Sequence, residues 1–257
     1  MRYLGGKVKI GGRIVQAILA DLGVKRIGLA ADICAGAGGV THRLADVSDC
    51  VIAVEYHAGL VALMRAVQGG WIPPLDISRE EYERLRTAPQ DEPLTAFAGF
   101  GSAFGGMLWA AYAAPSGPRP LVPAGDNPAA ESSRSLRKHT RLNVEHVCAD
   151  AIAWQPPAGL EVAYIDPPYE GTAGYRGTPQ QLAGAWWRKA QDLADMGVAV
   201  YLSEYAGPPE GVQAREVWTH ANHCAMTRAA KTSTRTERLW RVLPSEEWDS
   251  ALERETA

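Results

Sequence analysis

The chain has 257 residues, 46% of them hydrophobic and 21% charged, and a formal net charge of −3 at pH 7. This composition predicts a globular protein that can bury a sizeable core. It excludes polyanion binding through overall positive charge, so any such ligand must be held by local basic patches. No stretch approaches the ~20 apolar residues of a membrane span, and MRYLGGKVKI at the N-terminus lacks the apolar segment of a signal peptide. We therefore expect a cytoplasmic monomer without a membrane partner.

The cysteines are widely scattered along the chain, at Cys34, Cys50, Cys148 and Cys224. None of them belongs to a C-x-x-C pair, so their spacing favours neither a zinc site nor a disulfide framework. We predict reduced thiols and no bound metal.

The first part of the chain predicts helices alternating with strands. IVQAILADL at 14–22 places its apolar residues on one helical face, and Gly23 ends that helix. The following segments predict a buried strand (RIGLAADI, 26–33), a glycine turn (CAGAGG, 34–39), the start of a helix (VTHRLAD, 40–46), a second strand (CVIAVE, 50–55) and a helix over 57–67. This order is a βαβ pattern.

Residues 71–130 interrupt the alternation, because prolines recur throughout this stretch. Inside it, SREEYERLR predicts a short helix with a capping box from Ser78 to Glu81, and FAGFGSAFGGMLWAAYA is rich in glycine and aromatic residues. We interpret 71–130 as an insertion into a domain made of residues 1–70 and 131–257.

The alternation resumes after the insertion with a helix that ends near Arg141. Thr178 as N-cap, Pro179, a capping box closed by Gln181, and Gly197 as C-cap predict a second helix over 178–197. Five further strands are predicted: VEHVC at 144–148, EVAYI at 161–165, VAVYLSEY at 198–205, AREVWTH at 214–220 and ERLWRVL at 237–243. The sequence thus predicts an α/β fold with about seven strands, mostly parallel, whose last pair is antiparallel.

Ligands of such sheets bind at the carboxyl ends of the strands, where two features stand out. Asp32 ends the first strand, and Gly36 and Gly38 in the turn after it allow a ligand to approach the backbone closely, although a tight turn alone would also use glycine. Glu55 ends the next strand 19 residues after Gly36, where an acid binds the ribose hydroxyls of an adenosine-containing cofactor. These features predict either a nicotinamide dinucleotide or S-adenosylmethionine.

The tetrapeptide Asp166-Pro167-Pro168-Tyr169 separates these two cofactors. The lone pair of an exocyclic base amine is delocalised into the ring, so a methylating enzyme must accept hydrogen bonds from the amine to localise it. The Asp166 carboxylate and the Pro167 carbonyl, which Pro168 holds in an extended conformation, are two suitable acceptors. Tyr169 offers a face on which a base extruded from its duplex can stack. A strand that merely ends in a Pro-Pro turn is the structural alternative.

Four motifs, in this order, resemble an N6-adenine-specific DNA methyltransferase of the Dam-like class, phage type: RYLGGK at 2–7, the turn from Asp32 to Gly38, Glu55 and the tetrapeptide. The resemblance implies a Rossmann-like class I methyltransferase fold, a mostly seven-stranded sheet with an inserted target-recognition region at 71–130, and double-stranded DNA as partner. It also implies S-adenosylmethionine as cofactor, bound by Tyr3, Lys7, Asp32, Gly36, Gly38, Glu55, Asp150 and Asp166, and catalysis by Asp166, Pro167 and Tyr169. The turn departs from the family pattern at Cys34 and Ala35.

Two groups of basic residues are candidates for phosphate contacts. Arg228, Lys231, Arg235 and Arg238 stud the link between the last two strands, among Ser and Thr residues that also bind phosphate oxygens. Arg134, Arg137, Lys138 and Arg141 form one stripe if they share a helix, although a solvated helix face would look the same. Inside or near the insertion, Trp71, Trp109 and His139 are either base readers or packing residues.

Other functions remain compatible with these motifs. A methyltransferase with the same amine chemistry could act on N4 of cytosine, on RNA or on a protein amide. A catalytically silent DNA-binding relative is a second alternative, which the intact Asp166, Pro167 and Tyr169 oppose. A nicotinamide-dependent dehydrogenase is a third, but nothing in that chemistry requires the tetrapeptide.

Overall fold

The computed structural model describes residues 1, 3–115, 127–168, 183–224 and 233–246, and at 183, 222–224 and 233–235 it describes the backbone alone. The strands are β1 (Ile27–Ile33), β2 (Ser48–Glu55), β3 (Val144–Cys148), β4 (Val162–Ile165), β5 (Ala199–Glu204), β6 (Ala214–Cys224) and β7 (Ser233–Val242). The helices are α1 (Gly11–Leu22), α2 (Thr41–Ala45), α3 (Ala58–Gln68), α4 (Arg79–Leu85), α5 (Pro93–Gly101), α6 (Pro128–Leu136) and α7 (Ala183–Asp195), with a 3-10 turn at Phe104–Gly106.

The strands form a single sheet in the order β3-β2-β1-β4-β5-β7-β6. The first five positions are parallel, and β7 runs antiparallel to both of its neighbours. The predicted α/β fold with a mostly parallel seven-stranded sheet is therefore confirmed. The strand order reverses between β1 and β4, which opens a crevice at their carboxyl ends.

Apolar residues cover both faces of the central strands, as is typical of a parallel sheet enclosed by helices. On one face, α1 and α2 pack against the sheet through a cluster that includes Ile14, Ile18, Leu44 and Tyr201. On the other face, α7 packs through Trp187 and Leu193 onto Ile33. The two apolar layers leave the carboxyl edge of the sheet as the place where polar side chains gather.

The described part of the region 71–130 shares a core with α3. Helix α5 packs on α3, and α4 packs on α5, around the buried side chains of Leu60, Tyr82 and Phe97. Half of the predicted capping box of α4 is confirmed, since the Ser78 hydroxyl accepts a hydrogen bond from the backbone N–H of Glu81 at 3.1 Å. The Glu81 carboxylate accepts from Arg84. Trp71 and Trp109 pack in the core that this region shares with α3. Trp71 lies edge-on to Phe97, and Trp109 is 8% exposed and donates its indole N–H to Gln90.

The helix predicted to end near Arg141 ends at Leu136, so that prediction is wrong by about one turn. The chain leaves the helix because His139 is drawn inward, where it is 6% exposed and lies edge-on to His42. Arg141 lies beyond the helix and binds Asp46 at 2.5 Å. The basic stripe predicted for that helix therefore does not form.

The final two strands are longer than predicted and pair antiparallel as expected. Because β7 begins at Ser233, Arg235 and Arg238 lie within a strand and not in the link. Arg238 binds Glu216 at 2.9 Å and donates to the Tyr205 carbonyl. Arg228 and Lys231 lie outside the described residues, as do Thr178, Pro179 and Gln181 of the predicted helix start.

Gly197 follows α7 with a φ of 85° and donates its N–H to the Ala194 carbonyl, which confirms the predicted helix end. Within the described ranges, the thiols of Cys34, Cys50 and Cys148 are unpaired and no cluster of metal-ligating side chains occurs. No described helix has both the length and the apolar content needed to cross a membrane.

Candidate active site

A pocket opens at the carboxyl edge of the sheet, with about 850 Å³ of space including the solvent at its mouth. Its walls come from the N-terminal segment, the glycine turn after β1 and the ends of β2, β3 and β4. The predicted site residues among its lining are Tyr3, Lys7, Asp32, Gly36, Glu55, Asp150 and Asp166. These residues are far apart in sequence, and the sheet brings them to one cavity. Gly38 and Pro167 are not in its lining, whereas Pro168 is.

The N-terminal segment and His139 pack closely on the glycine turn. Gly36 has a φ of 53°, and a Cβ there would lie 2.7 Å from the ring of Tyr3. A Cβ on Gly39 would lie 3.0 Å from the backbone N of Val8, and one on Gly38 would lie 2.9 Å from the ring of His139. The glycines therefore let other parts of the chain close over the turn, a role that their spacing alone did not reveal.

Glu55 anchors this turn. One carboxylate oxygen accepts the backbone N–H of Gly36 and the other accepts the backbone N–H of His57, both at 2.8 Å. Burial raises the pKa of Glu55, and these hydrogen bonds partly oppose the shift. Each carboxylate oxygen has two lone pairs, so both oxygens retain capacity to accept ribose hydroxyls.

Asp32 lies beneath the pocket at the end of β1. Its side chain is 1% exposed and accepts the Thr41 hydroxyl at 2.5 Å. Burial raises the pKa of Asp32 to about 7, and the nearby carboxylates of Asp166 and Glu55 add to the shift, which the Thr41 hydrogen bond partly opposes. An acid in this state gains from a cationic ligand, which would favour its charged form.

Substituting Asp32 with asparagine is expected to stabilise the ligand-free protein at alkaline pH. An acid whose pKa is raised on folding contributes stability below its ordinary pKa of 3.8, and this contribution is lost as pH rises through about 7. At pH 8 the variant should be more stable by on the order of 2 to 4 kcal/mol, the worth of a shift of about three pH units. Urea unfolding from pH 5 to 8 measures this. The exposed Asp91→Asn is the control, and an unchanged pH slope in Asp32→Asn would contradict the expectation.

Asp166 follows β4 directly, and its backbone N–H donates to the Ile33 carbonyl at 3.1 Å. That bond continues the pairing of β4 with β1, so the carboxylate is held beside the glycine turn. Asp166 is 17% exposed, and its oxygen lies 2.7 Å from the ammonium of Lys7. Pro167 is buried and Pro168 lines the pocket. Tyr169 lies outside the described residues.

Lys7 crosses from the N-terminal segment to the end of the sheet and is 7% exposed. Its ammonium lies 2.7 Å from Asp166 and 3.2 Å from Glu237, and it also donates to the Gly5 carbonyl. Burial alone would lower the pKa of Lys7, but the two carboxylates outweigh it and the pKa is raised. Lys7 is therefore a cation. Glu237 was not predicted as a site residue, because in the sequence it is only the first residue of the predicted strand ERLWRVL.

Asp150 and Tyr3 also line the pocket. Asp150 follows β3, and its carboxylate accepts the Ile152 N–H at 2.9 Å, which fixes the side chain at the rim. The Tyr3 ring packs against Phe100 with the ring centroids 5.4 Å apart. The pocket thus combines aromatic and backbone surface with four carboxylates, at Asp32, Glu55, Asp150 and Asp166, an arrangement suited to a ligand with ribose hydroxyls and positive charge.

No family model and no curated protein matches the chain. Several solved structures are similar to it at low sequence identity. The rRNA methyltransferase AviRa from Streptomyces viridochromogenes is 18% identical, with 93% of this chain and 86% of that chain covered and a TM-score of 0.44. A dimethyladenosine transferase from Plasmodium falciparum is 12% identical, with 91% and 62% covered and a TM-score of 0.42. The 23S rRNA methyltransferase ErmE is 13% identical, with 95% and 75% covered and a TM-score of 0.42.

The seven-stranded sheet in the order β3-β2-β1-β4-β5-β7-β6, with β7 antiparallel, is a Rossmann-like α/β arrangement. The predicted Rossmann-like fold with a mostly parallel sheet is therefore confirmed.

Proposed function

We propose that the chain is an S-adenosylmethionine-dependent methyltransferase that methylates N6 of adenine in double-stranded DNA. The observation that carries the proposal is the position of the Asp166 carboxylate. It lies in the wall of the pocket that the glycine turn and Glu55 also line, and two prolines follow it directly. The acceptor for an amine and the site for a nucleoside cofactor are thus parts of one cavity.

The described side chains fit this cofactor. Glu55 offers acceptors for the ribose hydroxyls, and Asp150, which lines the pocket after β3, is the proposed partner of the adenine. Asp32 and Asp166 provide negative charge, which complements the sulfonium and ammonium groups. When bound, S-adenosylmethionine supplies an electrophilic methyl group.

The protein's contribution to the reaction is positioning and electrostatics. The carboxylate of Asp166 accepts one N–H of the target amine and the Pro167 carbonyl accepts the other, so the lone pair of the nitrogen becomes available for attack. Both hydrogen bonds strengthen as the nitrogen gains positive charge, and stabilisation that grows towards the transition state accelerates transfer. The adenine must leave its duplex to reach the pocket, at a cost of a few kcal/mol. Tyr169 is the proposed stacking face for the extruded base.

Phosphate contacts are assigned to four basic residues that follow β6 in the sequence, namely Arg228, Lys231, Arg235 and Arg238. Reversing the charges of Lys231 and Arg235 is expected to weaken binding to all DNA sequences alike. The slope of log affinity against log salt, which is negative, should become shallower by about 2. Fluorescence anisotropy of labelled duplexes between 50 and 200 mM salt measures that slope. Reversal of exposed Lys25, which lies before β1, is the control. A double variant with the wild-type slope would exclude these residues from phosphate binding.

The acceptor itself is decided by a labelling experiment. We expect tritium from labelled S-adenosylmethionine to enter duplex DNA, and nuclease digestion to release N6-methyladenine. RNA and bulk protein, offered in parallel, should remain unlabelled. Label in N4-methylcytosine, RNA or protein would support methyltransferase activity but show that the proposed acceptor is wrong. Absence of transfer to DNA, RNA and protein alike would overturn the proposed function.

A further inference from the structure

A buried group of three charges lies against the pocket wall: Lys7, Asp166 and Glu237. Lys7 is 7% exposed and Glu237 is 2% exposed. The ammonium nitrogen of Lys7 lies 2.7 Å from an oxygen of Asp166 and 3.2 Å from an oxygen of Glu237. The three residues come from the N-terminal segment, the end of β4 and β7.

The topology of the sheet places Glu237 there. Arg238 in β7 pairs with Glu204 at the carboxyl end of β5, so Glu237 lies one residue beyond that end. Because β4 neighbours β5, this position is close to Asp166. An antiparallel strand inserted into a parallel sheet therefore delivers an acid to the edge where the parallel strands end.

The Lys7 ammonium raises an electrostatic difficulty for the proposed reaction. The acceptor nitrogen forms a bond to the methyl carbon as the carbon–sulfur bond breaks, so positive charge passes from sulfur to nitrogen, and the nitrogen later loses a proton to solvent. A lysine cation beside Asp166 opposes positive charge in the same cavity. Taken with Asp166 alone, Lys7 would cancel the negative charge that should stabilise the transition state.

We propose that Glu237 is a positioning residue that holds Lys7 and offsets its charge, so that Asp166 presents net negative charge to the reacting amine and to the cationic methyl donor. The inference rests on the proposed function. The three groups together carry one negative charge. With Glu237 neutralised they carry none, and with both Lys7 and Glu237 neutralised Asp166 again leaves one negative charge.

The test compares wild type with Glu237→Gln and with the double variant Lys7→Met/Glu237→Gln. In Glu237→Gln, kcat should fall about 100-fold, a loss of the size found when one preorganised electrostatic partner is removed. Binding is then measured by calorimetry without nucleic acid. The affinity of Glu237→Gln for S-adenosylmethionine, a sulfonium cation, should fall about 10-fold. Its affinity for neutral S-adenosylhomocysteine should change little, because the altered charge acts only on the sulfonium cation. The double variant should recover at least about 10-fold in kcat over the single variant, as expected for coupled charges.

A purely structural role would weaken both ligands equally and would make the double variant worse than the single one. Either result would overturn the inference, as would wild-type kcat in Glu237→Gln. Failure of the wild-type protein to transfer methyl groups would contradict the proposed function. Failure of the inference about Glu237 would appear only in the comparison of the variants with an active wild type. The difference between the affinities for S-adenosylmethionine and S-adenosylhomocysteine is a binding measurement and does not require methyl transfer.

Discussion

Replacing Asp166 with asparagine is expected to reduce methyl transfer by about 100- to 1000-fold, the cost of removing one preorganised group aimed at developing charge. The amide retains an oxygen that can accept from Lys7, 2.7 Å away in the wild type, so the buried cation keeps a hydrogen-bond partner. It loses the negative charge that faces the amine. The loss should appear in kcat at saturating cofactor, measured by tritium transfer to duplex DNA.

The control for Asp166→Asn is Asp192→Asn, an exposed aspartate on α7 away from the pocket lining. It should transfer methyl groups at the wild-type rate. Calorimetric binding of S-adenosylhomocysteine should remain within about 10-fold in both variants, one order of magnitude being 1.4 kcal/mol. Wild-type turnover by Asp166→Asn would refute the assignment of this carboxylate as the acceptor of the amine.

Glu55→Gln is expected to weaken cofactor binding by at least about 100-fold, because it removes charge-assisted acceptors and creates a conflict between donors. Both wild-type oxygens accept backbone N–H groups, from Gly36 and His57. The amide NH2 of glutamine must face one of these donors. The glycine turn then loses one anchor, and the ribose loses an acceptor.

Glu145→Gln, on the exposed face of the neighbouring strand β3, is the matched control for Glu55→Gln. Calorimetry with S-adenosylhomocysteine should separate the two variants, with the control at wild-type affinity. Equal affinity in the two variants would exclude Glu55 from the ribose site.

The predicted end of the helix before β3 and the predicted lengths of β6 and β7 differ from the structure for the same reason. The helix before β3 was predicted to continue to Arg141 from local pattern, but burial of His139 against the glycine turn ends it at Leu136. The last two strands were predicted too short because the polar residues at their inner ends lack an apolar alternation. Their backbones still pair with each other up to Cys224 and Ser233. Contacts between distant segments override local preference in both cases.

The sequence by itself determined the alternation of helices and strands, and with it the strand ends that carry Asp32, Glu55, Asp150 and Asp166. These are local properties, because apolar runs, glycine turns and caps are written in neighbouring residues. Only the tertiary structure decided that Gly36 makes room for Tyr3 and that Glu237 reaches Lys7. Those contacts depend on the antiparallel placement of β7 and on the path of the N-terminal segment over the turn. Neither leaves a periodic signal in the chain, because each joins residues that are remote in sequence and meet only once the sheet has formed.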